Sequence, residues 1–214
     1  TNNRYYLIFN YCKYGDLKNY IYNIKLSLNE TEVLNIMKQI KDGLQYLFNN
    51  NIVHRDLKPQ NILINDNEII KISDFGFAKI YKEGSSMGQT ICGSPLYMAP
   101  EILTYKKYTD LADLWSVGVI MYELMYKETP VKGENLYKLF NNLKNYKFKK
   151  TIDNNFSKTS IDLLSNLLIK DPNLRINWIN FFNHKWFLQD YIEENKSNRE
   201  DFIFLMDEDS ELEE

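Results

Sequence analysis

The chain has 214 residues, 44% hydrophobic and 26% charged, which is room for one sizeable domain with a buried core. Its formal net charge of −3 and pI near 5.6 argue against a broad nucleic-acid surface. Two cysteines, Cys12 and Cys92, exclude a disulfide framework and a cysteine-based zinc site, and no apolar run reaches the ~20 residues of a membrane span.

The two thiols read as reduced, in a cytosolic or nuclear protein, and the N-terminus carries no signal segment; the expected location is cytoplasmic. The chain opens on Thr1 and runs at once into a strand-like segment, so it reads as a piece of something longer. That segment, Tyr5 to Phe9, is aromatic and β-branched. Asn10 to Gly15 is a linker, and Asp16 opens a short helix from Leu17 to Ile24. Ser27 and Glu30 have the spacing of a capping box before a long amphipathic helix with Val33, Leu34, Met37, Ile40, Leu44 and Leu47 on one side. Ile52-Val53 is short and extended. Ile62 to Ile64 and Ile69 to Ile72, joined by the turn Asn65 to Glu68, predict a β-hairpin.

A Gly- and Ser-containing loop follows from Tyr81 to Pro95. Leu111 to Tyr126 is apolar on nearly all faces, so that helix belongs at the centre of the domain. Further helices are expected at Leu136–Asn145, Ser160–Ile169 and Trp178–Phe182. Glu193 to Glu214 is acidic, with an apolar run, Phe202 to Met206, inside it that could dock on a partner. The fold class is mainly α with a short β-hairpin. The expected division is residues 1–16, a strand end and linker; 17–190, the helical domain; and 191–214, an acidic tail.

Five motifs stand in order: His54-Arg55-Asp56-Leu57-Lys58-Pro59-Gln60-Asn61, Asp74-Phe75-Gly76, Ala99-Pro100-Glu101, Asp113-Leu114-Trp115-Ser116-Val117-Gly118 and Asp171-Pro172-Asn173-Leu174-Arg175. Asn61 starts the first hairpin strand and Asp74 follows the second, and a hairpin returns its chain to the starting end. An amide oxygen and a carboxylate brought together there suit Mg²⁺, which takes hard oxygen ligands in company with phosphates. Asp56, on the loop entering the same hairpin, is placed to receive or orient the proton of a hydroxyl. A solvated turn capped by Asp and Asn would account for any one of these residues, but not for three at one end of a hairpin.

Together the motifs resemble the catalytic lobe of the protein kinases over roughly Tyr5 to Leu188. The resemblance implies a kinase-like fold with ATP and Mg²⁺ as cofactors and a C-lobe plus hinge only. No Gly-x-Gly-x-x-Gly loop and no strand with a phosphate-binding Lys precedes the hinge. It implies Asp56, Lys58 and Asn61 as catalytic residues, and Asn61 and Asp74 as metal ligands. Tyr11, Cys12, Asp16, Leu63 and Asp74 would bind nucleotide, with Phe9 as gatekeeper. Phe9, Leu63 and Phe75 would also belong to the core.

Lys58 and the Gly93-Ser94-Pro95-Leu96-Tyr97-Met98 run resemble the serine/threonine class. Arg55 would pair with a phosphate on Thr90, while Glu101, Asp113 and Arg175 would be architectural. Phe77 would favour serine over threonine acceptors, and Gln60 would weaken any demand for arginine in the substrate. The hinge, Asp74 to Lys79, and Thr90 to Glu101 look most like the autophagy-initiating (ULK-like) kinases, with Asn10, Lys13 and Tyr14 as departures. The implied partners are protein substrates and possible regulatory proteins. The alternative is a kinase lobe kept as a non-catalytic scaffold or decoy.

Overall fold

The computed structural model describes residues 6, 8–25, 27–81, 93–104, 106–148 and 155–189. Thr90, Cys92 and the acidic segment from Asp190 onward lie outside the described residues.

Asp16 caps α1 (Leu17–Asn19), its carboxylate accepting the Asn19 N–H at 2.8 Å, and a π-helical turn, Tyr20–Ile24, continues the same path. The long helix α2 spans Glu30–Asn49. Its capping box is Asn29 with Glu32, not Ser27 with Glu30: Asn29 Oδ1 accepts the Glu32 N–H at 2.9 Å and Glu32 accepts the Asn29 N–H at 3.0 Å. Glu30 is drawn elsewhere, to the backbone N–H of Ser157 at 2.6 Å and the indole N–H of Trp186 at 2.8 Å. Val33, Leu34, Met37, Ile40, Leu44 and Leu47 are all buried, as their spacing predicts.

β1 (Ile52–Val53) pairs antiparallel with β4 (Lys79–Ile80), a strand too short to leave a sequence signal. The predicted hairpin is β2 (Ile62–Ile64) and β3 (Ile70–Ile72), in register Ile62↔Ile72 and Ile64↔Ile70. α3 (Pro100–Leu103) follows a 3-10 turn, Pro95–Tyr97. α4 (Leu111–Tyr126) is buried on nearly every face and packs on α2 and α6. At its contact with α6, a Cβ on Gly118 would stand 2.8 Å from Leu167 Cβ, so glycine is what lets the two helices close. α5 spans Leu136–Asn145 and α7 Trp178–Phe182, as expected. α6 is Lys158–Leu167 and not Ser160–Ile169, because the Ser157 hydroxyl accepts the Ser160 N–H at 3.2 Å and starts the helix two residues early.

Of the expected strand Tyr5 to Phe9, Tyr5 and Leu7 lie outside the described residues, and Tyr6, Ile8 and Phe9 have no ladder partner among those described. The expectation that Phe9 and Phe75 are core fails: they are 81% and 47% exposed, each left uncovered by the described residues. No described helix is long and apolar enough to cross a membrane.

Candidate active site

The site is built on the loop between β1 and β2. Asp113, on α4, accepts the backbone N–H of His54 at 2.8 Å and of Arg55 at 3.0 Å, pinning the start of that loop to the centre of the domain. Burial raises the Asp113 carboxyl to about 6, against the opposing pull of His54 and of the two backbone donors. The His54 ring lies 2.9 Å from the Ser73 carbonyl through Nε2 and 3.3 Å from the Asp56 N–H through Nδ1, which sets Nε2 as the protonated nitrogen. Arg55 takes a left-handed φ of 67° at this bend.

Asp56 follows, 4% exposed. Its Oδ2 accepts from Lys58 Nζ at 2.7 Å and from Asn61 Nδ2 at 3.1 Å, while Asn61 Nδ2 also donates to the Asp56 carbonyl at 2.8 Å. Asp56 Oδ1 is buried and has no partner among the described residues. Lys58 also donates to Ser94 Oγ at 2.9 Å and so links the loop to the stretch before α3. Gly93 makes that approach possible. Its φ is 104°, and a Cβ there would stand 2.7 Å from the Arg55 carbonyl.

The hairpin brings Asn61 and the Asp74 region together. The Ser73 N–H and hydroxyl both donate to the Asn61 carbonyl, at 2.8 and 3.0 Å. Asp74 then turns left-handed, with φ 62°, and among the described residues its exposed carboxylate accepts a long 3.3 Å contact from the Gly76 N–H. A β-branched or bulky residue would resist this backbone, whereas Asp tolerates it.

The linker docks on the same hairpin. Asp16 bridges Leu63, the Tyr14 N–H donates to the Ile64 carbonyl at 3.2 Å, and the Ile64 N–H donates to the Gly15 carbonyl at 2.9 Å. Leu63 and Asp16 therefore adjoin, both half-buried. Tyr11 is 84% exposed and Cys12 half-buried, with the Cys12 carbonyl engaged by the Gly15 N–H at 3.0 Å.

Arg55 is turned to Phe77, its Nε donating to the Phe77 carbonyl at 2.5 Å. Glu101 and Arg175 meet as a buried bidentate pair at 2.8 and 3.0 Å, and the guanidinium lies 5.4 Å from the Trp115 ring.

Sequence reasoning missed Glu123. It is 2% exposed on α4, with Oε2 accepting the Tyr97 hydroxyl at 2.7 Å and Oε1 the Tyr22 hydroxyl at 2.9 Å. Burial first, then Glu123, pushes both phenols well above their ordinary value. Glu123 carries the same signature as Asp113, a carboxylate on an apolar helix, and could have been found by it.

The domain thus carries a carboxylate–lysine–asparagine cluster at the end of a short hairpin, with a left-handed acidic residue, Asp74, just after it. The protein kinase domain matches residues 1–187, and the chain belongs to that family. It is similar to the serine/threonine-protein kinase atg1 of Dictyostelium discoideum, with 47% identity over 184 residues covering 85% of this chain and 27% of that protein. The serine/threonine-protein kinase ATG1a of Arabidopsis thaliana is 41% identical over 190 residues, 86% of this chain and 30% of its own length. A putative serine/threonine-protein kinase of Acanthamoeba polyphaga mimivirus, R517/R518, is 36% identical over 225 residues, 92% of this chain and 50% of its own. The chain thus spans between about a quarter and a half of the curated relatives it matches.

Proposed function

We propose that the chain carries the catalytic lobe and hinge of a serine/threonine protein kinase, which moves the γ-phosphate of Mg-ATP to hydroxyls of protein substrates. The observation that carries this is the division of labour in the Asp56 carboxylate. Lys58 and Asn61 hold Oδ2, and Oδ1 is left buried without a partner. Oδ1 orients the incoming hydroxyl and takes its proton as oxygen attacks phosphorus and ADP leaves. Lys58, between Asp56 and Ser94, faces the transferred phosphate and offsets its charge.

The donors fit Mg²⁺. With Asn61 Nδ2 committed to Asp56, its Oδ1 is the side-chain atom left for a cation, and the Asp74 carboxylate is nearly free. Asn61 and Asp74 would hold the ion, which would supply positive charge to offset that of the phosphates. Leu63 and the backbone of Tyr11 and Cys12 make the adenine wall, and the Asp16 oxygen not used in capping meets the ribose. A second wall is part of the proposal, and the exposed Phe9–Phe75 face is where it would lie.

In this reading the kinase belongs with the autophagy-initiating group and works in the cytoplasm on protein substrates, supported by the resemblance to the atg1 and ATG1a kinases. Phe77 crowds a threonine methyl and favours serine. The Gln60 side chain offers no charge to a substrate arginine. A phosphate on Thr90 would draw Arg55 away from the Phe77 carbonyl into a charge-assisted pair and order the segment. Thr90→Ala in the native host then lowers activity; full activity rejects this switch.

The central test is Asp56→Ala and Asp74→Ala in the complete kinase, each expected to abolish peptide phosphorylation while the melting transition stays in place. Near-normal phosphorylation by a folded Asp74→Ala protein overturns the assignment.

A further inference from the structure

We propose that the groove between α5 and the loop joining α3 to α4 binds the acidic C-terminal segment of this same chain. The groove has a volume of about 770 Å³, with Lys106, Lys107, Lys144 and Lys170 along it and Phe140 and Leu143 among its apolar residues. Its two acids are already committed: Glu101 gives both oxygens to Arg175, and Asp171 Oδ1 accepts from the backbone and side chain of Asn173 at 2.9 and 3.1 Å. Lys106, Lys107 and Lys144 form no ion pair with a described residue, and Lys170 donates to the Lys144 carbonyl at 2.8 Å. Lysines elsewhere do find acids, as in Lys25–Glu32, Lys41–Asp42 and Lys185–Asp162. Hydrogen bonds from a neutral amide leave Asp171 charged, so the groove sets four lysines against one uncompensated carboxylate and is a net positive field.

The chain supplies one. Residues 1–189 hold 24 basic and 18 acidic side chains, a formal +6, whereas residues 190–214 hold two basic and 11 acidic, a formal −9. Within that segment the apolar run Phe202 to Met206 is followed by six acids in residues 207–214. Apolar residues followed by carboxylates match a groove with an apolar wall and a lysine rim. The 12 residues between Gln189 and Phe202 span up to ~40 Å when extended, and tethering raises the effective concentration of the segment at the groove.

The test is zero-length carbodiimide cross-linking of the 214-residue chain at low ionic strength, read by mass spectrometry on an equimolar mixture of ¹⁴N- and ¹⁵N-labelled protein. The expected result is cross-links within one chain from the acids of residues 207–214 to Lys106, Lys107, Lys144 and Lys170. They should fall about fivefold in 1 M NaCl, as exposed charge pairs are screened. The variant Lys106→Gln/Lys107→Gln/Lys144→Gln, which alters exposed side chains only, should lose those links with its melting transition unchanged. Links made mainly to other lysines, links mainly between isotopically distinct chains, or no links from this segment overturn the proposal. The salt series on the unaltered chain decides the matter if the triple variant fails to fold.

Discussion

Lys58 Nζ stands 2.7 Å from Asp56 Oδ2 and 2.9 Å from Ser94 Oγ, so a single ammonium joins the loop before β2 to the stretch before α3. In the proposed function, replacing Lys58 by Met removes a charge that faces the transferred phosphate, and it frees Oδ2 of its closest partner. The expected loss is ~10²-fold in kcat, with the KM for ATP little changed. Steady-state peptide phosphorylation by the complete kinase measures both constants. A kcat within threefold of the parent would place Lys58 on the surface only.

The Glu101–Arg175 pair is almost wholly buried, with side-chain exposures of 5% and 0%. Glu101→Gln leaves a guanidinium without its counter-charge at the centre of the domain and costs ~3–5 kcal/mol. Arg175→Met leaves the carboxylate bare and costs a similar amount. The double substitution costs less than the sum, since the two groups share one interaction. Denaturant unfolding of the four proteins closes the cycle.

Glu123 ties the Pro95–Tyr97 turn to α4 through the Tyr97 hydroxyl. Tyr97→Phe strands one buried carboxylate oxygen, at ~1–3 kcal/mol. The turn follows Ser94, which accepts from Lys58, the residue that faces the transferred phosphate in the proposed function, so we expect it to border the peptide. The expected kinetic effect is a higher KM for peptide with the KM for ATP unchanged.

His184 gives the fold a pH dependence. Burial holds its imidazole below the ordinary value, against the pull of Asp162 at 3.4 Å, and its Nδ1 accepts the Trp186 N–H at 3.3 Å. A proton on Nδ1 would remove that acceptor. The folded value lies below the unfolded one, so the unfolded chain binds more protons as pH falls. Its stabilising contribution is complete above about pH 6.5 and is lost as pH falls through the lowered folded value. His184→Asn keeps a capping acceptor and removes the titration, and denaturant midpoints between pH 5 and 7.5 should be flatter for it than for the parent.

The 214-residue chain should bind Mg-ATP only at roughly millimolar Kd, about 4 kcal/mol short of micromolar binding. Its described residues make one wall of the proposed nucleotide cleft, and small-molecule affinity grows with enclosure. Isothermal titration decides; a Kd below ~10 μM would mean that the wall suffices.

Most of the helical frame was legible because its signals are local. The 3.6-residue spacing of Val33 to Leu47 and the unbroken apolar run of α4 need no knowledge of a partner. Competition between neighbouring signals was not legible. Ser27 and Glu30 read as a capping box, but Glu30 is drawn to Ser157 and Trp186, 127 and 156 residues away, and the box forms at Asn29 and Glu32 instead. β4 was missed because two residues carry no periodicity, and the strand character of Tyr6, Ile8 and Phe9 finds no described strand to pair with. At the site, the loop order of Asp56, Lys58, Asn61 and Asp74 could be read from the motifs. The shared ammonium on Ser94 and the two tyrosines that Glu123 joins could not, since each depends on chain segments far apart in sequence.

Residues 74–78 are held at both ends. Ser73 is fastened to Asn61 and His54 by three hydrogen bonds, and Lys79 enters the ladder with β1. It is pinned between its ends as well: Arg55 fastens the Phe77 carbonyl, and the Phe75 ring rests 5.1 Å from the His54 imidazole. Two neighbours on one loop, His54 and Arg55, thus moor the backbone that carries Asp74 to the backbone that carries Asp56, so a change at either residue disturbs the spacing of both acids at once.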